Sequence, residues 1–408
     1  MQTRPYEILV SQISQLTRRG QSRSADVRAF FDRFGGTFFA ISAALLAVFT
    51  AWLYSVHGGR ILDLPEGIGQ SSTEDLRAFW RAGQMALRGK ALAAYDSHIF
   101  TEPFSANGKG LLWLNPPHAF FVFLPFGTMS YASAKAIWLG ASILAFAAIA
   151  RIAAPQYKAA AVLIFLTPAA YVSFIVLQSA PFMALLLMCG MLTSRERPIL
   201  SGVLFAVLTI KPQYGLMVPV FLAARGDWRA FGWTTVFSGA FALASIFAYG
   251  VESWAAFLNA NSGGHAEAIH RDMVTLAQAA GKAGGNILVR ATAQVAAIVF
   301  SAAVTFLAAR KLPNADAVAI AVLASAAAAP SFWVYDFAFI AAAYGLLLRR
   351  APWPLAVQAA AAIAFAAPFI PFAFGTNLSS VATSASLLLA LATVGFWRMT
   401  RLPAAEAI

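Results

Sequence analysis

Two adjacent acids, Glu74 and Asp75, stand at the predicted start of a helix in the long polar stretch 57–115. Ser72 or Thr73 can cap this helix. A carboxylate held at such a position can accept the proton of a hydroxyl group as a general base. Both acids could instead serve only to stabilise the positive end of the helix dipole. Asp75 is the first candidate for a catalytic residue, and Glu74 is the alternative.

The other candidates are polar residues in or beside apolar segments: Lys211, Asp336 with its neighbour Tyr335, His118 and Gln178. A lysine at the centre of a membrane span costs roughly 2.5–3.5 kcal/mol, so such residues mark candidate sites. Pro212 is expected to break the helix beside Lys211 and free backbone groups there. The structural alternatives stay open: Lys211 could reach an interface, and Asp336 could pair with a basic residue.

The helix after Asp75 has two faces. Its apolar face holds Leu76, Phe79, Trp80, Gly83 and Leu87, and its polar face holds Arg77, Arg81, Gln84 and Arg88. This pattern predicts an amphipathic helix that lies on a membrane surface and ends at Gly89. Arg81, about one and a half turns beyond Asp75, could bind an anionic substrate group. Arg88 is better explained by contact with anionic lipid head groups, which a surface helix faces.

The composition shows where these elements lie. Of 408 residues, 60% are hydrophobic and only 11% charged, with a mean hydropathy of +0.69. These values indicate a polytopic membrane protein, because soluble domains are about one-quarter charged. The net charge of +12 lies mainly in short connectors, which favours topology signals over nucleic-acid binding. The single cysteine, Cys189, excludes an intrachain disulfide or a cysteine-based zinc site.

The apolar segments predict an all-α bundle of about 12 transmembrane helices. Residues 1–35 are expected to be a basic cytoplasmic segment without a secretory signal, 36–397 a single membrane domain, and 398–408 a cytoplasmic tail. The loops 57–115 and 250–285 are then extracytoplasmic. The arginines between 151 and 229 do not fit simple alternation of the spans. Either segment 199–224 is broken at Lys211-Pro212, or 111–129 is re-entrant.

Seven short motifs, in order along residues 55–345, resemble those of glycosyltransferase family 87. They are Asp-Leu-Arg-Ala-Phe-Trp at 75–80 with Ala-Leu-Arg-Gly at 86–89, Tyr95, Leu-Asn-Pro-Pro at 114–117 with Leu-Pro-Phe at 124–126, Ala134 to Trp138, Gln178, Ile-Lys-Pro-Gln at 210–213, and Pro330 to Asp336. The family usually has Gly-Gln-x-Asn around the glutamine and Tyr-Pro-Pro before the prolines. Leu177, Ser179 and Asn115 depart from these patterns.

The resemblance implies a GT-C fold with its active site at the outer face of a bacterial inner membrane. It further implies inverting transfer of a hexose, most simply mannose, from a polyprenyl-phosphate sugar to a glycolipid or glycan acceptor. Asp75 matches the family's catalytic base, with Glu74 beside it. Six residues are then expected to contact the donor phosphate or sugar: Lys211, Arg81, His118, Gln178, Asp336 and Tyr335. Membrane lipids are the other expected partners, and nucleic acid is not one.

Two other functions remain compatible with the sequence: a transporter or lipid-linked-sugar flippase, and an inactive GT-C-like scaffold. A transporter is expected to show inverted halves with paired broken helices, and no internal repeat occurs here. No cofactor or metal site is predicted. His265, Glu267, His270 and Asp272 cluster in the 250–285 loop, but histidines five residues apart do not share a helix face.

Overall fold

The computed structural model describes residues 44, 47–56, 74–102, 112–155, 164–262, 273–350, 353–369 and 376–400. These ranges contain helices and connecting segments and no strand. In chain order the helices are α1 Ala47–Val56, α2 Leu76–Leu87, α3 Ser97–Thr101, α4 Ala119–Gly127, α5 Tyr131–Ala153, α6 Pro168–Val176, α7 Ala180–Thr193, α8 Pro198–Leu208, α9 Val218–Arg225, α10 Trp228–Tyr249, α11 Glu252–Ser262, α12 Leu276–Lys282, α13 Ile287–Lys311, α14 Asn314–Ala328, α15 Ala338–Leu347, α16 Leu355–Ala366 and α17 Thr376–Thr400.

Short 3₁₀ helices lie between several of them, at Leu92–Tyr95, Pro212–Gly215, Val334–Phe337, Leu348–Arg350 and Ala367–Phe369. Within the described ranges, 4 helices are long and apolar enough to cross a membrane: α5, α10, α13 and Val381–Thr400 of α17. The prediction of an all-helical membrane protein is confirmed. The count of about 12 spans and the GT-C arrangement stay predictions.

Helix α2 packs against other parts of the protein, mainly along its first two turns, and its predicted position on a membrane surface stays a prediction. Leu76, Arg77, Phe79 and Trp80 are all buried, and Arg77 is only 1% exposed. The Phe79 ring stacks on Phe123 of α4 with centroids 4.6 Å apart. On the polar face, protein covers Arg77, whereas Arg81 and Gln84 are partly exposed and Arg88 is exposed. A helical pattern alone cannot predict which residues of such a face are covered by protein.

The ends of α2 differ slightly from the prediction. Asp75 occupies the N-cap position without a side-chain capping bond, so Glu74 and Asp75 precede the first turn that they were expected to form. At the other end, Gly89 has a φ of +69°, the left-handed conformation that terminates helices, as predicted. The chain therefore leaves α2 where its sequence indicates.

Two glycines allow α2 and α4 to cross at very short range. A Cβ atom on Gly83 would lie 2.2 Å from the carbonyl oxygen of Phe123, and one on Gly127 would lie 2.5 Å from the Gln84 nitrogen. No larger side chain fits either position without separating the helices. This contact holds α2, and therefore Asp75 at its start, against the rest of the protein.

The segment 198–225 starts and ends at the same end of the bundle. Asp227, just after α9, accepts a 2.7 Å hydrogen bond from Ser194 and lies 3.6 Å from Arg195, both before α8. Between α8 and α9 the chain turns through the 3₁₀ helix Pro212–Gly215. The break predicted at Lys211-Pro212 is therefore present, with Lys211 at the tip of a hairpin. Since α8 has 11 residues, about 16 Å, it is too short to cross an apolar core of about 30 Å.

A second hairpin, α14 and α15, brings Asp336 to the same region. Asp316, near the start of α14, accepts a hydrogen bond of 3.2 Å from Arg350, which follows the end of α15. It accepts another, of 2.5 Å, from Arg398 of α17. Asn314 donates to the Leu192 carbonyl at 3.2 Å, so the bases of both hairpins lie at one end of the bundle. We call this the basic end, because Arg195 pairs with Asp227 there and Arg350 and Arg398 pair with Asp316. The hairpin tips, with Lys211 and Asp336, point away from it.

Candidate active site

Asp75 is anchored to the turn between α6 and α7 by its backbone and its side chain. Its amide donates a 2.8 Å hydrogen bond to the carbonyl of Val176. Its carboxylate accepts a 2.6 Å hydrogen bond from the side-chain amide of Gln178, 103 positions later in the chain. The carboxylate is thereby held in one orientation next to the tip of the first hairpin.

Gln178 links Asp75 to Lys211. Its side-chain oxygen accepts a 2.9 Å hydrogen bond from Lys211 Nζ and a 2.7 Å bond from the backbone amide of Ser179. A lysine ammonium only donates and an ionised carboxylate only accepts, so the amide of Gln178 can bridge them in a single orientation. The result is a base, an amide and a cation in one continuous row.

Lys211 is buried, with 9% exposure, and its charge acts on two carboxylates, Asp75 and Asp336. Its Nζ atom also lies 6.0 Å from the ring centroids of both Phe79 and Tyr214. The aromatic rings exclude water from the ammonium, which strengthens its attraction for anions. A lysine held in this way can contact a phosphate as a point charge.

The tip of the second hairpin completes the cluster. Asp336 is fully buried, and one of its oxygens accepts a 2.8 Å hydrogen bond from the Trp333 amide. Tyr335 interacts electrostatically with Asp75 and lies near the side chain of Gln178. Ser173 of α6 donates to the Tyr335 carbonyl at 3.1 Å and fixes the tip in place. Tyr214, which sequence analysis did not single out, lies beside both Lys211 and Asp336.

Burial raises the pKa of Asp75 to about 6, against the lowering effects of the Lys211 charge and the Gln178 hydrogen bond. A general base works best when its pKa is near the working pH, since it is then both ionised and basic enough to take a proton. The environment of Asp75 brings it toward that range. Of the two acids, Asp75 is the one that lies in the cluster with Lys211.

Glu74 points into a separate buried group. Its two oxygens accept hydrogen bonds from Tyr131, at 2.5 Å, and from Lys135, at 2.8 Å, and Arg77 lies 3.7 Å away. These partners leave little capacity for a second role as a base. Tyr131 and Lys135 do not stand out in the sequence as site residues, since both lie within the largely apolar start of α5.

A family model described as Glycosyltransferase family 87 matches residues 113–330, more than half of the chain. The chain belongs to glycosyltransferase family 87. The resemblance seen in the motifs is thereby confirmed, and membership makes the protein a membrane glycosyltransferase. No curated protein and no solved structure matches it. The matched residues include His118, Gln178 and Lys211, while Asp75 and Asp336 lie outside them.

Leu177 departs from the glycine that the family 87 motif has before its glutamine. In the structure Leu177 has φ 54° and ψ 48°, the left-handed conformation. This conformation costs a residue with a Cβ atom roughly 1–2 kcal/mol, whereas it costs glycine almost nothing. The turn that presents Gln178 therefore requires a positive φ, and this member of the family adopts it with a buried leucine.

Two of the expected substrate contacts lie away from the Asp75 cluster. Arg81 donates to the carbonyls of Phe100 and Ile99, both at 3.1 Å, and thereby holds the end of α3. His118 is hydrogen-bonded to Thr209 at 3.0 Å and stacks on Trp254. Burial lowers the pKa of His118 to about 4, so its ring is neutral at physiological pH. The structure shows no contact between either residue and Asp75.

In the part of the chain that the structure describes, no group of three His, Cys, Asp or Glu side chains could hold a metal ion. The loop residues His265, Glu267, His270 and Asp272 lie outside that part. The described cluster instead contains one cation of its own, Lys211, between two carboxylates. Among the described residues of this cluster, Lys211 is therefore the one whose positive charge can attract a bound anion.

Proposed function

We propose that this protein transfers a hexosyl unit, most simply mannosyl, from a polyprenyl-phosphate sugar to a hydroxyl group of a cell-envelope glycolipid or glycan, with inversion. Asp75 acts as the general base, and Lys211 binds the donor phosphate. The single observation that carries the proposal is the bridge from Asp75 through Gln178 to Lys211, with bonds of 2.6 and 2.9 Å.

The reaction needs one proton acceptor and one anion-binding group. The acceptor oxygen attacks the anomeric carbon from the face opposite the phosphate, and its proton passes to Asp75. The bond between the anomeric carbon and the phosphate oxygen breaks, and polyprenyl phosphate leaves with the electron pair. No catalytic acid is required, because phosphate is already a competent leaving group. The Lys211 ammonium offsets the charge that develops on it.

The remaining residues of the cluster have places in this scheme. Gln178 keeps the base and the cation at a constant separation, so that both can act on opposite sides of one sugar. In this scheme Asp336 and Tyr335, at the second hairpin tip, hydrogen-bond sugar hydroxyls. Arg81 and His118 were expected at the donor as well, but their observed partners favour a structural role for both.

The active site is proposed to face the periplasm or cell exterior of a bacterial inner membrane. The support is the separation between the cluster and the basic end of the bundle. Arginines in short connectors remain on the cytoplasmic side, and Arg195, Arg350 and Arg398 all lie at the basic end. Lys211 and Asp336 occupy the hairpin tips that point the other way.

The test is a transfer assay with purified protein in nanodiscs, labelled polyprenyl-phosphate-mannose and extracted envelope lipids. Asp75→Asn is expected to abolish transfer, because the amide keeps the size but cannot take a proton. Asp96→Asn is the matched control: Asp96 is an exposed N-cap in the same loop, where asparagine caps equally well. The control is expected to retain full activity. Transfer that survives in Asp75→Asn would overturn the assignment of the base.

Donor binding provides a second readout. Lys211→Met is expected to weaken binding of polyprenyl phosphate at least tenfold, while Asp75→Asn retains it. Equal binding by wild type and Lys211→Met would exclude the proposed phosphate contact. Movement of the labelled donor across proteoliposomes without any transfer would favour the flippase instead.

A further inference from the structure

A second buried group of charges adjoins the active site. Glu74 is 5% exposed, and it pairs with Lys135 at 2.8 Å and with Tyr131 at 2.5 Å. Lys135 is 1% exposed. The Arg77 guanidinium lies over the Tyr131 ring, 4.3 Å from its centroid. This group, which we call the Glu74 group, joins the start of α2 to the first turns of α5.

A contribution to the stability of the fold does not readily explain a buried group of charges such as this one. Moving two charges out of water costs several kcal/mol for each charge. The attraction between the charges of a buried ion pair often offsets no more than that cost. Apolar residues of similar volume would usually serve as well in a membrane-spanning helix such as α5. A buried lysine paired with a buried glutamate is better explained by the need to hold something in place.

What the group holds is the residue next to Glu74. The peptide between Glu74 and Asp75 is fixed on one side by the Glu74 group and on the other by the bond from the Asp75 amide to Val176. Asp75 makes no side-chain capping bond to α2, so its carboxylate is directed to Gln178. Tyr131 interacts electrostatically with both Glu74 and Asp75, so the two groups are close enough to influence each other.

We propose that Lys135 and Glu74 are a positioning pair for Asp75: their ion pair fixes the backbone that carries the base and neutralises the negative charge beside it. Neither residue touches the substrate. The inference rests on the proposed function, because it assumes that Asp75 is the base. It differs from the expectation that Glu74 is itself a base.

Asp75 is surrounded by several charged and titratable groups from four parts of the chain. Lys211 acts on Asp75 from the first hairpin tip, Tyr335 and Asp336 from the second, and Tyr131 from α5. Tyr214 lies beside Lys211, and Lys135 and Arg77 lie beside Glu74, the neighbour of Asp75 in the chain. Substitution of Lys135 or Glu74 changes the net charge of this set by one unit and removes neither Gln178 nor Val176, the partners that Asp75 contacts directly.

The two single substitutions are expected to have opposite effects. Lys135→Met leaves Glu74 without its closest cation, which disfavours a second negative charge on Asp75. The acidic limb of the pH profile of kcat/KM then moves to higher pH, by about half a unit to one unit. Glu74→Gln leaves Lys135 in excess and moves the limb to lower pH. The double variant Glu74→Gln/Lys135→Met restores neutrality and returns the limb to its wild-type position.

The experiment measures kcat/KM for transfer from pH 4.5 to 8.5 for wild type, the two single variants, the double variant and Lys135→Arg. Lys135→Arg is expected to keep the wild-type limb, because it retains the charge. A merely structural role would lower activity without moving the limb in opposite directions. Shifts of the same sign in both single variants, or no shift in either, would overturn the proposal.

The experiment distinguishes failure of the proposed function from failure of the positioning pair. Asp75→Asn is measured in the same assay, and retained activity there shows that Asp75 is not the base. Loss of activity in Asp75→Asn together with an unmoved limb in the single variants rejects the positioning pair alone. If Lys135→Met does not fold, Glu74→Gln and the double variant still carry the test, since their limb positions must differ.

Discussion

Gln178 donates a hydrogen bond of 2.6 Å to Asp75, although the two residues are 103 positions apart in the chain. The oxygen of the same amide accepts a 2.9 Å hydrogen bond from Lys211. Base and cation are therefore held by one planar group and cannot move independently. This arrangement makes Gln178 a sensitive position for testing the site.

Gln178→Ala is expected to lower kcat/KM for transfer by about 10- to 100-fold. A hydrogen bond to a charged group is worth roughly 1.5–3 kcal/mol, and here two charged partners lose their common neighbour. The matched control is Gln358→Ala, which removes another buried glutamine whose amide donates to the Trp353 carbonyl at 2.6 Å. The control is expected to lower the melting temperature and leave kcat/KM per folded molecule unchanged. Equal effects of the two substitutions on kcat/KM would contradict the bridge.

The activity is expected to fall as the pH drops through about 6. Burial raises the pKa of Asp75 to about 6, and the protonated acid cannot accept the proton of the acceptor hydroxyl. The measurement is kcat/KM as a function of pH. The value of kcat/KM should fall about tenfold per pH unit on the acidic limb of the profile, below the pKa of Asp75. A histidine is the usual origin of such a limb, so His118→Gln is the control. Because burial lowers the pKa of His118 to about 4, the limb should remain in that variant.

Gly83→Ala is expected to destabilise the protein by about 1–3 kcal/mol or more and to reduce transfer. The new Cβ atom would lie 2.2 Å from the Phe123 carbonyl oxygen, so α2 and α4 must separate. Because α2 starts at Asp75, the separation also displaces the base. Gly140→Ala is the control, since Gly140 has open space around its Cβ position on the exposed side of α5. Thermal unfolding in detergent should show no loss for Gly140→Ala, and a similar loss in both variants would refute the close contact.

Substitutions of Leu177 are expected to reverse the usual order of alanine and glycine. Both remove a buried side chain, but only glycine relieves the left-handed conformation at φ 54°. Leu177→Gly should therefore be more stable than Leu177→Ala by about 1 kcal/mol.

Leu187, fully buried within α7, provides the comparison for Leu177. There alanine should be more stable than glycine by about 1 kcal/mol, because glycine is the poorer helix former. The melting temperatures of the four variants give the order of stability of alanine and glycine at each position. The same order at both positions would show that Leu177 does not need a positive φ.

The sequence by itself determined the class of protein and several local features. Low charge and long apolar segments place the chain in a membrane, because each residue contributes to that property independently of its partners. The helix 76–87, its end at Gly89 and the break at Lys211-Pro212 also follow from local rules, since capping and the missing proline amide act within one or two turns. The ordered motifs were sufficient to suggest the family.

Only the tertiary structure decided which polar residues meet. Arg77 and Arg81 lie on the same predicted face, yet Arg77 is buried beside Tyr131 and Arg81 holds the end of α3. Glu74 and Asp75 are neighbours in the chain, yet they point into different groups. Helical periodicity describes one element at a time, and it contains no information on which other element covers a given face. The bridge through Gln178 joins three such elements, so it becomes visible only when the helices are packed.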